Sequence, residues 1–585
     1  MKLSSVEACR PQSFSVILPT FNRAFCVCEA IDSLLRQTFG EWELIIVDDG
    51  STDGTEALLR KRYAVQFSSG KFVFLRQENR GVSNARNAGV SMAKGDWIAY
   101  LDSDNTVRAD WLQALSDAVA SRPDAQTAYG KFVMRKGREE KGAPFDWDRL
   151  LLRNYIDLGV FVHRRSIVGE LGGFDESFRR LVDWELVLRY TKVHPPVFVD
   201  RVLMDYNDSR EFQRITGTWN GNQDWKAAVM DKHGRHLPLV TTVIPTCGHK
   251  AYIADAIESA MRQEGPFRRE IVISDDGSDD GTAEIVAAYA ERYPHLVRNL
   301  STGTNVGISA NVRRCIAAAR GSFIALLEGD DYWSGEKKLA TQLAFLQEHA
   351  ECPMVFSRTY VLEDGARGLC VLKPQDGLPE LMRGRDFFAT GSSSVIVNFS
   401  CCMFRRSAFD DLPECLWEPR PSEIAFAFWL ERRGPIGHLA IPMSVYRIHG
   451  GGVWSGASQT ARRAQEIACR RAALMVCAPE YRKDFEGEIA RINEVCGRGQ
   501  LVECGNAAGS IGYLFVQLLP YFLVVAWWRR YRGIELDKPL FFYRGTVKRL
   551  GRIVKFVLPY GLVNLVRRHR RRRRRAANRR EVFAT

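Results

Sequence analysis

The sequence predicts an α/β protein: two tandem domains, each built on a mostly parallel sheet, followed by a helical, membrane-associated C-terminal segment. Three observations predict it. Apolar β-branched runs alternate with helical patterns, as sheets covered by helices on both faces require. Four motifs recur in the same order at near-constant spacing, and residues 507–528 (AAGSIGYLFVQLLPYFLVVAWW) carry no charge over a length close to a bilayer span.

The repeat sets the domain organisation. SVILPTFN (15–22) is echoed by TTVIPTCG (241–248), with Pro19-Thr20 mapping onto Pro245-Thr246 at an offset of 226. LIIVDDGSTDGT (44–55) matches IVISDDGSDDGT (271–282), NRGVSNARN (79–87) matches NVGISANVR (305–313), and LDSDN (101–105) matches LEGDD (327–331), all at offsets of 226 or 227. Chance does not give four matches in order, so the chain carries a tandem duplication. We expect an N-terminal extension (1–13), a first domain (14–206), a linker (207–238) and a second domain (239–456). A helical connector (457–506), an apolar membrane-associated segment (507–566) and an Arg-rich tail (567–585) complete the division.

Within the first copy, the apolar run Ser15 to Leu18 leads into the helical stretch CEAIDSLLRQ. A second apolar run (Leu44 to Val47), a DDGS turn and another helix follow, and the strand WIAYLD then delivers Asp102 and Asp104. Ligands of open α/β sheets bind beyond the carboxyl ends of the strands, and Pro-Thr, DDGS and DSDN all fall there. Taken singly, DDGS and DSDN read equally well as turns, since Asp and Gly tolerate the backbone angles. Their joint arrival at one sheet edge, twice over, points to a site.

Neither GxxxxGKS nor GxGxxG occurs, so a glycine cradle for phosphate is missing. Two carboxylates one residue apart at a strand end suit a hard divalent cation, Mg²⁺ or Mn²⁺, completed by water and phosphate oxygens. The net charge of +13 raises nucleic acid as a partner, but residues 529–585 hold 19 Lys and Arg against three acids, which leaves −3 for residues 1–528. The basicity therefore belongs to the C-terminus. The 14 cysteines lack CxxC spacing, which argues against a zinc or redox motif and for a reducing compartment. No continuous apolar stretch follows Lys2, so a cleaved signal peptide is not expected.

VILPTFNR, VDDGSTDGT, NRGVSNARN, YLDSDN and GGFDESFRRLVDWELVLRY, in that order, resemble the family 2 glycosyltransferases with the GT-A fold. IPTCG, SDDGSDDGT, NVGIS, LLEGDDYW and YRIHGGGVWS resemble another branch of the same family, and the two stretches cover residues 14–206 and 239–456. The resemblance implies transfer of a sugar from a nucleotide donor, a UDP-sugar being the first expectation, with inversion and with a divalent metal. It implies that Pro19, Thr20 and Asp49 line the nucleotide pocket with Arg86 close by, that Asp102 faces the ribose or the metal, and that Asp104 ligates the metal. The family's base maps to Asp183 in LVDWELVLRY, where the usual preceding Glu is Val182; an Asp before WELVLRY also suits a helix N-cap.

In the second copy the same carry-over assigns Pro245, Thr246 and Asp276 to the nucleotide and Asp330 to the metal. Glu328 replaces the first Asp of the motif, and Asp331 stands beside it. Glu423 falls at the base position, one methylene longer than the usual Asp, and His449 matches a histidine near the metal and diphosphate. The first copy has VLMDYNDSR there, with no His.

Residues 457–505 read as helices engaged in packing. Pro520 interrupts the 507–528 segment, and Ile553 to Val566, with Lys555 inside it, is short, so a re-entrant or interfacial hairpin on the cytoplasmic face fits better than a single span. The run Arg567 to Arg580 beside it suits anionic lipid headgroups; nucleic acid is not the expected partner, and a solvated tail is the remaining reading. The expected acceptor is a growing surface glycan such as capsule, exopolysaccharide or lipopolysaccharide. The rivals are one active domain with an acceptor-binding or scaffolding partner, and an anchored glycan-binding protein with both sites inactive.

Overall fold

The computed structural model describes residues 12–502 apart from 137, 209–218, 364–369, 373–376, 390–392, 419 and 453–455. The apolar segment 507–528 and the Arg-rich tail lie outside the described residues, and no helix among those described is long and apolar enough to cross a membrane.

The first sheet contains β1 (Phe14–Thr20), β2 (Trp42–Asp48), β3 (Phe72–Arg76), β4 (Trp97–Tyr100), β5 (Thr106–Val107), β6 (Thr127–Met134), β7 (Glu140–Lys141), β8 (Phe161–Arg164) and β9 (Val197–Tyr206). They run in the order β3-β2-β1-β4-β8-β6-β9-β5, with β7 on β6. The first four are parallel, joined by crossover helices Val27–Leu35, Thr55–Arg62 and Val82–Met92. All seven residues of β1 are buried, as a central parallel strand demands. Val16, Leu18, Leu44, Ile46 and Trp97 feed one core, while Ile17, Ile45, Val47, Ile98 and Tyr100 feed the other, so strict alternation supplies both faces.

Beyond β4 the direction changes: β8 is antiparallel to β4 and β6, and β5 is antiparallel to β9. The expected mostly parallel sheet is therefore a mixed one. The parallel pattern belongs to the part of each copy where strands and helices alternate; antiparallel neighbours such as β8 with β4 and β6 do not require a crossover helix.

The second sheet repeats this with β10 (Leu239–Thr246), β11 (Arg268–Asp275), β12 (Val297–Asn299), β13 (Phe323–Leu326), β14 (Tyr332–Trp333), β15 (Met354–Glu363), β16 (Cys370–Leu372), β17 (Leu381–Met382), β18 (Cys402–Arg405) and β19 (Ile436–Ile448). Its order, β12-β11-β10-β13-β18-β15-β19-β14, is that of the first sheet strand for strand. Registers agree too: Ala99↔Val162 corresponds to Ala325↔Met403, and Phe132↔Met204 to Thr359↔Ser444. The irregularity between Gly130 and Phe132 recurs between Ser357 and Thr359. The duplication thus reaches into the second half of each copy, where the sequences share no motif.

Helix Trp219–His233 joins the copies. Its Val229 and Met230 enter a core of the first domain and Ala227 a core of the second. Gln223 accepts a hydrogen bond from Arg269, and Asp224 accepts from the backbone N–H of His295 and Leu296. On the other side, Lys232 (2.8 Å), His233 (3.2 Å) and Arg189 (2.8 Å) converge on the fully buried Glu185. Burial alone would raise the Glu185 carboxyl, but hydrogen bonds from His233, Arg189 and Lys232 outweigh it and hold the group well below the usual carboxylate range.

Glu185→Ala should therefore lower stability by about 3 kcal/mol or more, because it removes the buried carboxylate that Arg189, Lys232 and His233 share, read as a fall in thermal midpoint. The folded pKa is depressed, so this contribution is complete above about pH 5 and fades as pH falls. The gap between wild type and variant should narrow in acid.

Candidate active sites

Strand register builds the first site. β1 pairs in parallel with β2 and β4, so Thr20, the DDGS turn and Asp102 emerge along one edge. The turn needs Gly50 at φ 86°, and a Cβ there would lie 3.1 Å from the Asn79 backbone nitrogen; Gly277 repeats both features at φ 72° and 2.7 Å from Asn305. Asp49 accepts hydrogen bonds from the Arg80 and Gly81 backbone N–H (2.9 and 2.8 Å) and from Gln77 (2.8 Å). Its carboxylate thereby holds the loop that starts helix Val82–Met92. Thr20 is buried at the end of β1, and its hydroxyl has no hydrogen-bond partner among the described residues.

Arg86, 6% exposed at its side chain, donates to Asp102 at 2.7 Å. Asp183 and Asp157 lie close enough to this pair for their charges to interact with it. Burial pushes Asp183 above the usual carboxylate range, against the pull of Arg86. Burial and the Asp102 charge raise Asp157 to about 7. Asp104, part-buried, sits where its charge helps to raise the buried Cys26 thiol, after burial itself, to about 11. Asp183 is not the N-cap of its helix: Leu181 is, in the left-handed region at φ 55°. A bulky residue held there is strained, which is characteristic of functional sites.

The second site is more compact. Glu328, Asp330 and Asp331 present carboxylate oxygens within 4.8 Å of one another, and among the described residues this is where three metal-type donors converge. Burial and the mutual charges of the cluster push Glu328 and Asp331 well above the usual range. Burial also opposes ionisation of Asp330, but the hydrogen bond from His449 (3.0 Å) and the nearby His249 outweigh it and lower its pKa. Crowded carboxylates resisting shared ionisation are a chemical fit to a divalent cation, which would relieve the repulsion.

Asn398 donates to both Glu328 (3.2 Å) and Asp331, and Ser400 donates to Asp331 at 2.6 Å. The matching registers of β18 on β13 and of β8 on β4 make Asn398 the counterpart of Asp157. An amide thus stands in the second copy where the first has a carboxyl. Val312 likewise replaces Arg86, so the Arg86–Asp102 pair has no equivalent.

A cavity of about 640 Å³ runs through this site, within the range of small-ligand pockets. Pro245, Thr246, Asp276 and Asn305 line it together with Glu328, Asp330 and Glu423. Arg420, Glu466 and Arg470 also line it. Glu423 opens helix Glu423–Glu431 after the cap Ser422, and burial raises its carboxyl to about 7. Glu466 and Arg470 belong to helix Gln459–Val476, which the sequence presented as packing alone. Its apolar spacing concealed the polar residues that it turns into the cavity. His249 and Asn398 also escaped the sequence reading: one follows the Pro-Thr motif without belonging to it, and the other lies in an apolar run.

Asn398→Asp should destabilise the protein by about 1–3 kcal/mol at pH 7.5, because it exchanges the amide donor shared by Glu328 and Asp331 for a fourth carboxylate. The penalty should shrink at pH 5.5, where the new carboxyl can keep a proton and donate it. Thermal denaturation at the two pH values measures both effects.

A family model for glycosyl transferase family 2 matches residues 15–160 and 241–413, more than half of the chain. The uncharacterized protein Rv1520 of Mycobacterium tuberculosis is 33% identical over 219 residues, 36% of this chain and 59% of its own length. A PGL/p-HBAD biosynthesis glycosyltransferase of Mycobacterium bovis is 33% identical over 177 residues, 30% of this chain and 68% of the relative. The chain therefore spans well under two thirds of the first relative and about two thirds of the second. Among solved structures, S. aureus TarS 1-349 in complex with UDP-GlcNAc overlaps 37% of this chain and 66% of its own at a TM-score of 0.32 and 19% identity. Mannosyltransferase PcManGT from Pyrobaculum calidifontis, in complex with GDP-Man and Mn2+, overlaps 38% and 64% at a TM-score of 0.31 and 21% identity. The two mixed α/β sheets are consistent with the GT-A fold, the family model matches once on each of them, and the chain belongs to glycosyl transferase family 2 with its domain present in tandem.

Proposed function

We propose that the protein is an inverting, metal-dependent glycosyltransferase with two active sites that adds sugars from nucleotide-sugar donors to a growing surface glycan. The observation that carries this reading is the continuity of the second cavity. Thr246 and Asp276, the acidic cluster, Glu423 and the polar residues of helix Gln459–Val476 share one chamber. A donor lying from the first of these to the third would place its anomeric carbon between the diphosphate and an acceptor held against that helix.

Glu423 takes the proton of the acceptor hydroxyl as that oxygen bonds to the anomeric carbon. The bond from that carbon to the diphosphate oxygen breaks on the opposite side, which inverts the centre. Glu328, Asp330 and His449 are the residues that would hold a divalent cation, and such an ion supplies Lewis-acid stabilisation of the leaving diphosphate. In the first copy Asp183 takes the role of Glu423, Asp104 that of the metal ligand, and Arg86 holds Asp102 in place.

Two sites on one chain raise the effective concentration of each product at the next site. The basic C-terminal segment suits attachment to anionic lipid at the cytoplasmic membrane face, where a lipid-linked or polymeric acceptor is within reach. The alternative, one active domain beside an acceptor-binding one, is favoured by the unequal sites: the donor cluster of the second copy has no counterpart among the described residues of the first.

Nucleotide release from a panel of UDP-sugars with Mn²⁺ tests the proposal. Wild type should turn over at least one donor, and Asp104→Ala and Asp330→Ala should each abolish one transfer and spare the other. Loss of all transfer in Asp330→Ala, with none in Asp104→Ala, would leave the single-site reading; turnover untouched by both would end the metal assignment. The Asp330-dependent transfer should rise with pH through about 7, since Glu423 must be ionised to act as base. Glu423→Gln should cost about 10²-fold or more in rate at every pH.

A further inference from the structure

His249 stands next to the acidic cluster in the second copy but outside every motif that defines the site. Its Nδ1 lies 3.1 Å from the Thr246 hydroxyl, and its Nε2 points to the same Asp330 oxygen that His449 Nε2 reaches at 3.0 Å. The His249–Asp330 separation is 3.7 Å, too long for a hydrogen bond. It is the right length for two ligands of one ion, since donors each about 2.0–2.2 Å from a common cation lie about 3–4.4 Å apart. The two imidazoles are 6.3 Å apart between centroids and nearly perpendicular, at 84°.

The space that His249 occupies is made by a second change. Gly329 separates Glu328 from Asp330, and a Cβ on it would come within 2.4 Å of the Thr246 hydroxyl and 2.8 Å of His249 Nδ1. Any other residue would push the ring away from the cluster. At the corresponding positions the first copy has Ser103 for Gly329 and Arg23 for His249. The small residue and the imidazole therefore occur together in one copy and are both absent from the other. The Thr246 contact completes the arrangement: when Nδ1–H donates to that hydroxyl, the Nε2 lone pair is directed at the cluster, which is how protein partners orient a ligating histidine.

We propose that His249 is a direct ligand of the second-site cation, which makes that site a two-imidazole, carboxylate centre selective for a first-row transition ion such as Mn²⁺ over Mg²⁺. Imidazole nitrogen suits the transition ions, whereas Mg²⁺ prefers an all-oxygen shell. The inference rests on the reading of this cluster as a cation site, and goes beyond it in the ligand and the choice of metal.

Mn²⁺ binding to the full chain, followed by electron paramagnetic resonance without nucleotide, tests this directly. An Asp104→Ala background silences the first copy. We expect pulsed spectra to show coupling to two imidazole nitrogens, and Mg²⁺ to compete only at about tenfold or greater excess. Adding His249→Ala should remove one nitrogen and weaken Mn²⁺ by about 10–100-fold while changing Mg²⁺ binding much less. His249→Asn, which keeps a polar side chain in the same space, should show the same loss, and unchanged circular dichroism in either variant establishes that the fold is intact. If both variants retain two nitrogens and full Mn²⁺ affinity while His449→Ala loses them, His249 is no ligand and the cation site stands without it. If the parent protein binds no Mn²⁺, with or without UDP, the inference and the metal-dependent reading fall together.

Discussion

Parallel pairing at the start of each sheet is the constraint on which the rest depends. Because β1 lies between β2 and β4 with both partners running the same way, the residues that follow all three strands must leave from one edge. Parallel strands cannot be joined by tight turns, so each return passes through a helix. Those helices cover the faces and leave the carboxyl ends open. Thr20, the DDGS turn and Asp102 become neighbours for that reason alone, and Thr246, Asp276 and Glu328 follow suit. The burial of a charged Arg86 against Asp102 is possible only inside such an edge, where helix Val82–Met92 delivers the guanidinium from behind.

On this shared frame the copies have settled their electrostatics differently. The first balances acids with a buried guanidinium, since Arg86 draws on Asp102 and its charge reaches Asp183 and Asp157. The second has lost that cation to Val312 and instead concentrates three carboxylates, tempered by the Asn398 amide and faced by two imidazoles. Burying like charges together without a counter-ion is unfavourable, so each replacement makes sense only with the others. Asn398 for Asp157 removes a further negative charge from the crowded site, and Gly329 for Ser103 admits His249.

The elements outside the repeated sheets extend the sites. Helix Trp219–His233 reaches both cores and ends at Glu185, two residues from Asp183 on the same helix. Helix Gln459–Val476 packs Ala472, Ala473 and Val476 against the second core while its polar residues line the cavity. Amphipathic packing and site construction are here the work of one helix, with the apolar stripe setting the position of Glu466 and Arg470.

The sequence by itself determined the duplication, the parallel first half of each sheet and the strand ends at which Asp102, Asp104, Glu328 and Asp330 emerge. Local patterns suffice there, because period-two apolar runs, glycine turns and repeated motifs are properties of neighbouring residues. The tertiary structure alone decided the reversal beyond β4, the pairing of Arg86 with Asp102 and the equivalence of Asn398 with Asp157. It also decided the turning of helix Gln459–Val476 into the cavity and the convergence of His249 with His449 on Asp330. The contacts among these join residues from 16 to well over a hundred positions apart, and side chains that meet only through the fold leave no periodicity for the sequence to display.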